Sequence, residues 1–387
     1  MIARRAFVVV LDAVGAGALP DTVAYGDPAD ADTLVHVAEA VGGLELPALQ
    51  ALGLGCIRSL PGVPPARDPV LHGRLAPQGP GKESTTGHWE LMGVVAGEPL
   101  PTYPAGFPPE VVARLDVVAG GRGFCCNAPY SGTDVLRDFG EHHLRTGELI
   151  LYTSADSVLQ VAAHHGVLDE DSLRDLCARI RREVMVASHA VGRVIARPFA
   201  GPPGAFERTQ GRKDFAIRPP GRSYLEELGE RQVPVHAVGK THDLFAGVGF
   251  DHKHPGSSNA EALAETTALV AGLTYGLVFT NLIETDQLYG HRKDPAGFAR
   301  ALQRIDAEVA AWLRLLGPQD LLVLTADHGV DPTASHSDHT REHVPLLARF
   351  PGHGGREHHG PFADVGASVL AWLTGAESVG LPGRSFV

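Results

Sequence analysis

Short apolar runs alternate with amphipathic stretches along most of the chain. Phe7 to Leu11, Val233 to Val238, Leu277 to Ile283 and Leu321 to Leu324 are dense in aliphatic and β-branched residues. Runs of this length and composition are the pattern of strands buried in a parallel sheet. A long amphipathic segment begins at Asp294-Pro295, an N-cap followed by proline at the first helical position. Its apolar residues Phe298, Leu302, Ile305, Val309 and Trp312 recur at steps of four and three, which places them on one helical face. Strands and helices in alternation predict a doubly wound α/β core sheet.

The middle of the chain reads differently. Strand candidates there are Phe124 to Asn127, Leu149 to Tyr152 and Val194 to Ala196, and one helix carries Leu173, Leu176, Cys177, Ile180 and Val184 on a single face. Prolines crowd both ends of the region: Pro101, Pro104, Pro108 and Pro109 before it, Pro219 and Pro220 after it. The expected organisation is a core domain built from residues 1–100 and 221–387, with an inserted α+β cap domain over residues 101–220. No internal repeat or low-complexity tract interrupts this pattern.

Composition narrows the function. The chain has 387 residues, 44% hydrophobic and 20% charged, with a formal net charge of -12. That balance suits a soluble globular protein of one large and one small domain. The net charge and the lack of a long basic run argue against nucleic acid as a partner. Met1-Ile2-Ala3-Arg4-Arg5 and the apolar run after it resemble a secretory signal, but Asp12 ends the run early, so a buried strand is the expected reading. No segment approaches the length of a membrane span. Cys56, Cys125, Cys126 and Cys177 form no C-x-x-C pair, which argues against a disulfide framework or thiolate zinc site and predicts a cytoplasmic protein. Most of the 20 histidines, including the pairs His142-His143, His164-His165 and His358-His359, are expected to have no ligand role.

Three of the strands run into acids: Phe7 to Leu11 into Asp12, Leu277 to Ile283 shortly before Asp286, and Leu321 to Leu324 before Asp327-His328. Sites in open α/β sheets form beyond the carboxyl ends of the strands, so the three carboxylates are expected to converge there. Without a cation, crowding would repel them and raise their pKa values. Gly290-His291 follows Asp286, and Asp338-His339-Thr340-Arg341-Glu342-His343 lies beyond Asp327. Carboxylate and imidazole donors without thiolate suit manganese, magnesium or zinc, in number enough for two ions. Two such ions clamp a transferring phosphoryl group and activate the attacking oxygen. The segment Gly81-Lys82-Glu83-Ser84-Thr85-Thr86-Gly87-His88-Trp89-Glu90 supplies candidate hydroxyl nucleophiles. Arg193, Arg208 and Lys240 are candidates for a second phosphate. Gly15-Ala16-Gly17 opens like a dinucleotide fingerprint, but Pro20 stands where the third glycine belongs, which argues against NAD.

At this point the residues resemble the phosphopentomutase family. GKESTTGHWELMG (81–93), THDLFAG (241–247), DQLYGHRKDP (286–295), TADHGVDPT (325–333) and DHTREHVPLL (338–347) look like its signatures. FVVVLDAVGAGALPD (7–21), YTSADSVLQVA and GRVIARPF extend the likeness over nearly the whole chain. The resemblance implies an alkaline phosphatase-like core with two Mn²⁺ ions. It places Asp12, Asp327 and His328 on the ion beside the nucleophile, and Asp286, His291 and His339 on the second, with His336 and His343 as the competing ligands. The family usually has threonine three residues before the Gly-His pair, where this chain has Ser84, so the register points to Ser84 rather than Thr85 or Thr86. The implied reaction interconverts α-D-ribose 1-phosphate and ribose 5-phosphate, and the 2-deoxyribose pair, through phosphorylated Ser84 and a 1,5-bisphosphate. Glucose 1,6-bisphosphate or a similar sugar bisphosphate is the implied activator. Ser154, Asp156, Arg193, Ile195, Arg208 and Lys240 are the implied contacts to the sugar or its distal phosphate. A phosphatase or phosphodiesterase sharing this core is the alternative. A cofactor-independent phosphoglycerate mutase is disfavoured, because its Asn-Ser-Glu-x-Gly-His segment is missing. A non-catalytic metal-binding protein would need no activated hydroxyl.

Overall fold

A computed structural model describes residues 3–154 and 156–387. Met1 and Ile2, which open the segment weighed as a secretory signal, and Ala155, inside the YTSADSVLQVA motif, lie outside the described residues. The chain divides into two compact units, Met1–Glu98 with Pro219–Val387, and Pro99–Arg218. In chain order the strands are β1 (Arg5–Leu11), β2 (Leu71–Ala76), β3 (Phe124–Pro129), β4 (Leu149–Thr153), β5 (Val158–His164), β6 (Arg193–Ala200) and β7 (Glu207–Arg208). They continue with β8 (Lys213–Ala216), β9 (Val235–Val238), β10 (His252–His254), β11 (Gly276–Leu282), β12 (Asp320–Thr325), β13 (Val344–Arg349) and β14 (Glu357–Pro361).

The first unit holds an eight-stranded sheet in the order β10-β9-β11-β1-β12-β13-β2-β14. Residues Ala6 to Leu11 of β1 are buried on both faces, which is why that run has no polar alternation. β1 pairs in parallel with β11 on one side and β12 on the other, which places it in the middle of the sheet. Helices cover the sheet in the doubly wound manner expected. The helix Pro295–Leu315 buries Phe298, Leu302, Ile305, Val309 and Trp312, and Asp294 caps it by accepting from Gly297 N at 2.8 Å. Asp306, a carboxylate on that buried face, accepts from Ala48 N and Leu49 N at 3.1 and 2.7 Å and so caps the neighbouring Pro47–Leu52 helix.

One strand departs from the parallel expectation. β13 runs antiparallel to both β12 and β2. A parallel return needs a crossover, usually a helix. Residues 326–343 between β12 and β13 contain no helix, so the chain comes back antiparallel. Among the described residues no helix is long and apolar enough to cross a membrane, and the four cysteines are free.

The second unit is a mixed sheet, β3-β4-β5-β6-β7 with β8 also on β6. Successive residues of β4 face opposite ways, the period-two rule of strands. Leu149 and Leu151 pack with Leu173, Cys177 and Ile180 of the helix Glu170–Glu183. Ile150 and Tyr152 pack with Val135 and Leu136 of the helix Asp134–Thr146 and with Phe199.

Candidate active site

The chain leaves β1 in the middle of the sheet, between β11 and β12, and Asp12 is the next residue. Its Oδ2 accepts from Asn281 Nδ2 at 2.9 Å, and its carbonyl accepts from Thr285 Oγ1 at 2.6 Å. Ala13 then adopts φ +65°, a conformation that costs a non-glycine residue stability and that recurs where backbone is held for function. In that pose its N–H donates to Asp327 Oδ1 at 3.1 Å. Asp286 lies in a wide π-type turn over Thr285–Gly290 just after β11, the kind of irregularity often found at sites.

Three imidazoles meet these acids. His328, His291 and His339 each donate from Nδ1 to a backbone carbonyl: Gly329 O at 3.1 Å, Ser337 O at 2.7 Å and Lys82 O at 2.8 Å. That fixes the tautomer and places the lone pair on Nε2. His328 Nε2 lies 3.4 Å from both Asp12 Oδ1 and Asp327 Oδ2. His291 Nε2 and His339 Nε2 lie 3.1 Å apart and face Asp286 Oδ1 at 3.3 and 3.2 Å. The rings of His328 and His339 stack with centroids 4.0 Å apart, which joins the two groups.

Buried oxygens test whether a metal fits. Asp12 Oδ1, Asp286 Oδ1 and Asp327 Oδ2 are buried and make no hydrogen bond. Leaving such atoms bare is costly, and these three point at the histidine Nε2 atoms. Asp12, Asp327 and His328 bring one ligand atom each within 4.8 Å of one another, and so do Asp286, His328 and His339. All-oxygen-and-nitrogen donor sets of this kind fit divalent ions.

The expected upward shift of crowded carboxylates holds only at Asp12. Burial, then the charges of Asp327 and Asp286, push it well above the usual range. Asp286 and Asp327 are instead held below that range. Burial opposes this in both, but His339 and His291 outweigh it at Asp286, and His328 and His88 at Asp327. Burial lowers His328 to about 4, so its ring is neutral near pH 7.

The hydroxyl segment sits against the first group. Glu83 is the N-cap of the helix Ser84–Leu91, so Ser84 is its first residue and not its cap. Ser84 Oγ lies 3.0 Å from His328 Nε2. Thr86 Oγ1 is turned back to Glu83 O at 3.2 Å, and Thr85 is buried. The helix approaches closely because residue 87 is glycine: a Cβ there would stand 2.3 Å from the carbonyl oxygen of Asp327. His88, fully buried, donates from Nδ1 to Ser84 O at 2.8 Å and stands 3.1 Å from Asp327 Oδ2.

The other named residues divide between the units. Lys240, in the first, donates to Gln287 Oε1 at 3.1 Å. In the second, Arg193 lies 3.4 Å from Asp156, with Ser154 just past the end of β4 and Ile195 buried in β6. Arg208 is not beside Arg193 along the strand. Its backbone pairs with Phe199, six residues further along β6, and its Nε donates to Gly132 O at 3.0 Å. The competing histidines are placed elsewhere: His336 Nε2 is 3.5 Å from Asp27, and His343 Nδ1 donates to Gly17 O at 3.2 Å.

Several supporting residues went unassigned in the sequence although they lie inside its motifs. Arg341 NH1 donates to Gly79 O and Gly81 O at 2.8 and 2.7 Å, holding the segment that leads to Ser84. Lys82 bridges Asp27 at 2.8 Å and Asp338 at 3.3 Å. Glu342, fully buried, accepts from Gly17 N, Thr33 N, Thr33 Oγ1 and Thr340 Oγ1 at 3.2, 2.9, 2.7 and 2.6 Å. It thereby ties together the segments that follow Asp12 and His339. A tightly bonded carboxylate between two glycines, Gly15 and Gly329, leaves no signal that periodicity detects.

Burial raises Glu342 from the ordinary value near 4.5 to about 7. A carboxyl whose folded value is raised contributes stability that is complete below pH 4.5 and lost as pH rises to about 7. Glu342→Gln stays neutral throughout. The gap in melting temperature between wild type and this variant is therefore expected to shrink across that window. A gap that stays constant from pH 4.5 to 7.5 would contradict the assignment.

The clustered carboxylate and imidazole donors are those of a metalloenzyme, and residues 229–375 match the model of the Metalloenzyme superfamily. The chain is 49% identical over 380 residues to the phosphopentomutase of Anaeromyxobacter dehalogenans strain 2CP-1, covering 97% of each chain. It is 46% identical over 349 residues to that of Dictyoglomus turgidum, covering 90% of this chain and 88% of the relative. Among solved structures it is similar to Leishmania mexicana phosphoglycerate mutase, with 12% identity, coverage of 99% and 97%, and a TM-score of 0.49. The chain belongs to the phosphopentomutase family, and it is an isomerase.

Proposed function

We propose that the protein interconverts α-D-ribose 1-phosphate and ribose 5-phosphate, and the corresponding 2-deoxyribose phosphates, through a phosphorylated Ser84. The observation that carries this is the 3.0 Å approach of Ser84 Oγ to His328 Nε2, with bare oxygens of Asp12 and Asp327 3.4 Å from the same nitrogen. Asp12, Asp327 and His328 would hold one ion, and Asp286, His291 and His339 the other, with Mn²⁺ the proposed metal. When bound, the ions neutralise charge on the phosphoryl oxygens and ease loss of the Ser84 proton.

In the forward half-reaction the free 5-hydroxyl of ribose 1-phosphate attacks the phosphorus of phosphorylated Ser84. The bond from phosphorus to Ser84 Oγ breaks as the bond to O5 forms, the hydroxyl proton ends on Ser84 Oγ, and the 1,5-bisphosphate results. In the second half-reaction Ser84 Oγ attacks the 1-phosphoryl group. The bond to O1 breaks, O1 takes the proton that Ser84 gives up, and ribose 5-phosphate leaves with the serine phosphorylated again. His88 holds the Ser84 carbonyl and Arg341 the preceding backbone, so the hydroxyl keeps its aim through both halves.

The reading further assigns residues 101–220 as the cap, with Ser154, Asp156, Arg193, Ile195 and Arg208, together with Lys240 of the core, as contacts to the sugar or its distal phosphate. A sugar bisphosphate such as glucose 1,6-bisphosphate would prime the serine. A cytoplasmic place of action accords with the four free cysteines. Phosphopeptide mapping after brief exposure to glucose 1,6-bisphosphate tests the reading. Phosphate on residue 84 is expected; phosphate on Thr85, or on no residue of this segment, would overturn it.

A further inference from the structure

The second unit gathers three potential metal ligands that the reaction does not use. Cys125 lies on β3, His142 on the helix Asp134–Thr146, and Glu148 on the turn between that helix and β4. Their Sγ, imidazole nitrogen and carboxylate oxygen all lie within 4.8 Å of one another, and all three residues are half-buried. His142 Nε2 and Glu148 Oε2 are 2.5 Å apart. We infer that Cys125, His142 and Glu148 form a peripheral binding site for a thiophilic divalent cation of the Zn²⁺ class, with water completing the coordination.

The frame around the three is rigid. His143, the residue after His142, is buried, with Nδ1 donating to Glu148 O at 2.6 Å and Nε2 accepting from His164 N at 2.9 Å. Gly147 closes the helix in a left-handed conformation, φ +79°, and Glu148 N donates to Thr146 Oγ1 at 3.2 Å. The Glu148 side chain lies over Gly123, where a Cβ would come within 3.2 Å of its Cγ. Cys125 is paired with Ile150 in the β3–β4 ladder, and its thiol donates to Leu149 O at 3.6 Å. The three donors therefore come from backbone positions that are each fixed independently of any ion.

The donor set selects the ion. One thiolate, one imidazole and one carboxylate suit Zn²⁺ or Co²⁺ and disfavour Mg²⁺ and Mn²⁺. Burial and the Glu148 charge raise the Cys125 thiol to about 11, so it holds its proton at neutral pH. Cation binding must displace that proton to solvent as the metal–sulfur bond forms, and it exchanges the His142–Glu148 contact for two metal–ligand bonds.

Co²⁺ titration of the full-length, Mn²⁺-loaded protein tests this. The proposed catalytic ligands offer only nitrogen and oxygen, so a sulfur-to-cobalt charge-transfer band reports the peripheral site alone. The expected result is such a band saturating at one equivalent, with about one proton released per ion, lost in Cys125→Ser and kept in Cys126→Ser. Glu148→Gln and His142→Asn should each weaken Co²⁺ binding at least about tenfold, as loss of one ligand does. Zn²⁺ should raise the melting temperature of wild type and not of Cys125→Ser, with mutase turnover equal in both. Absence of the band in wild type, or its persistence in Cys125→Ser, would overturn the site.

Discussion

Ser84→Ala is expected to abolish phosphoenzyme formation and reduce turnover by at least about a thousandfold, the scale on which nucleophile removal acts. The effect should fall on kcat, because the proposed metal ligands and sugar contacts are untouched. Metal content should remain near that of wild type, since Ser84 Oγ only approaches His328 and its removal displaces none of the six proposed ligands. The neighbouring hydroxyls provide the control. Thr86 Oγ1 is already committed to Glu83 O, so Thr86→Val is expected to cost little turnover. A Ser84→Ala enzyme with full activity beside an inactive Thr85→Val would shift the nucleophile by one residue and end the present assignment.

Asp327→Asn is the second large effect. Asn at 327 keeps an oxygen for the Ala13 N–H but removes the charge from the oxygen that now stands bare between His88 and His328. A neutral amide is a far poorer ligand for a hard divalent ion than a carboxylate. Mn²⁺ affinity at the first site is expected to fall by roughly one to two orders of magnitude and turnover by more. Metal analysis after exhaustive dialysis, combined with turnover at increasing Mn²⁺, separates the two losses. Normal turnover by the variant after metal removal would contradict the two-metal reading.

The parts of the fold that were legible from sequence are those where one residue type repeats with a clear period. β1 is continuous because both its faces are covered, and the Pro295–Leu315 helix shows its apolar stripe because only one face is. Asp12, Asp286 and Asp327 were legible because acids directly beyond buried strands interrupt the pattern. The antiparallel direction of β13 carries no such signal. Its orientation follows from the helix-free stretch 326–343, and that stretch is recognisable only as motif. β2 and β14 escaped notice because Arg74 and the His358-His359 pair break their apolar character near the sheet edge.

The electrostatics of the site is not legible in the sequence. Three crowded carboxylates suggested mutual repulsion, yet only Asp12 rises, because imidazoles brought from residues 291, 328 and 339 sit closer to Asp286 and Asp327 than the other acids' charges can offset. Those distances depend on Nδ1 bonds to Gly329, Ser337 and Lys82 carbonyls, which no spacing rule encodes. Glu342 and Arg341 were hidden for a related reason. Each acts on backbone atoms of distant segments, and a backbone partner has no identity in the sequence.

Phosphorus NMR of the Mn²⁺-loaded protein with ribose 5-phosphate and a trace of glucose 1,6-bisphosphate tests the central claim most directly. The account predicts a ribose 1-phosphate signal that grows to a constant ratio without matching free phosphate. Free phosphate that accumulates steadily while no ribose 1-phosphate forms would contradict it and turn the same centre into that of a phosphatase.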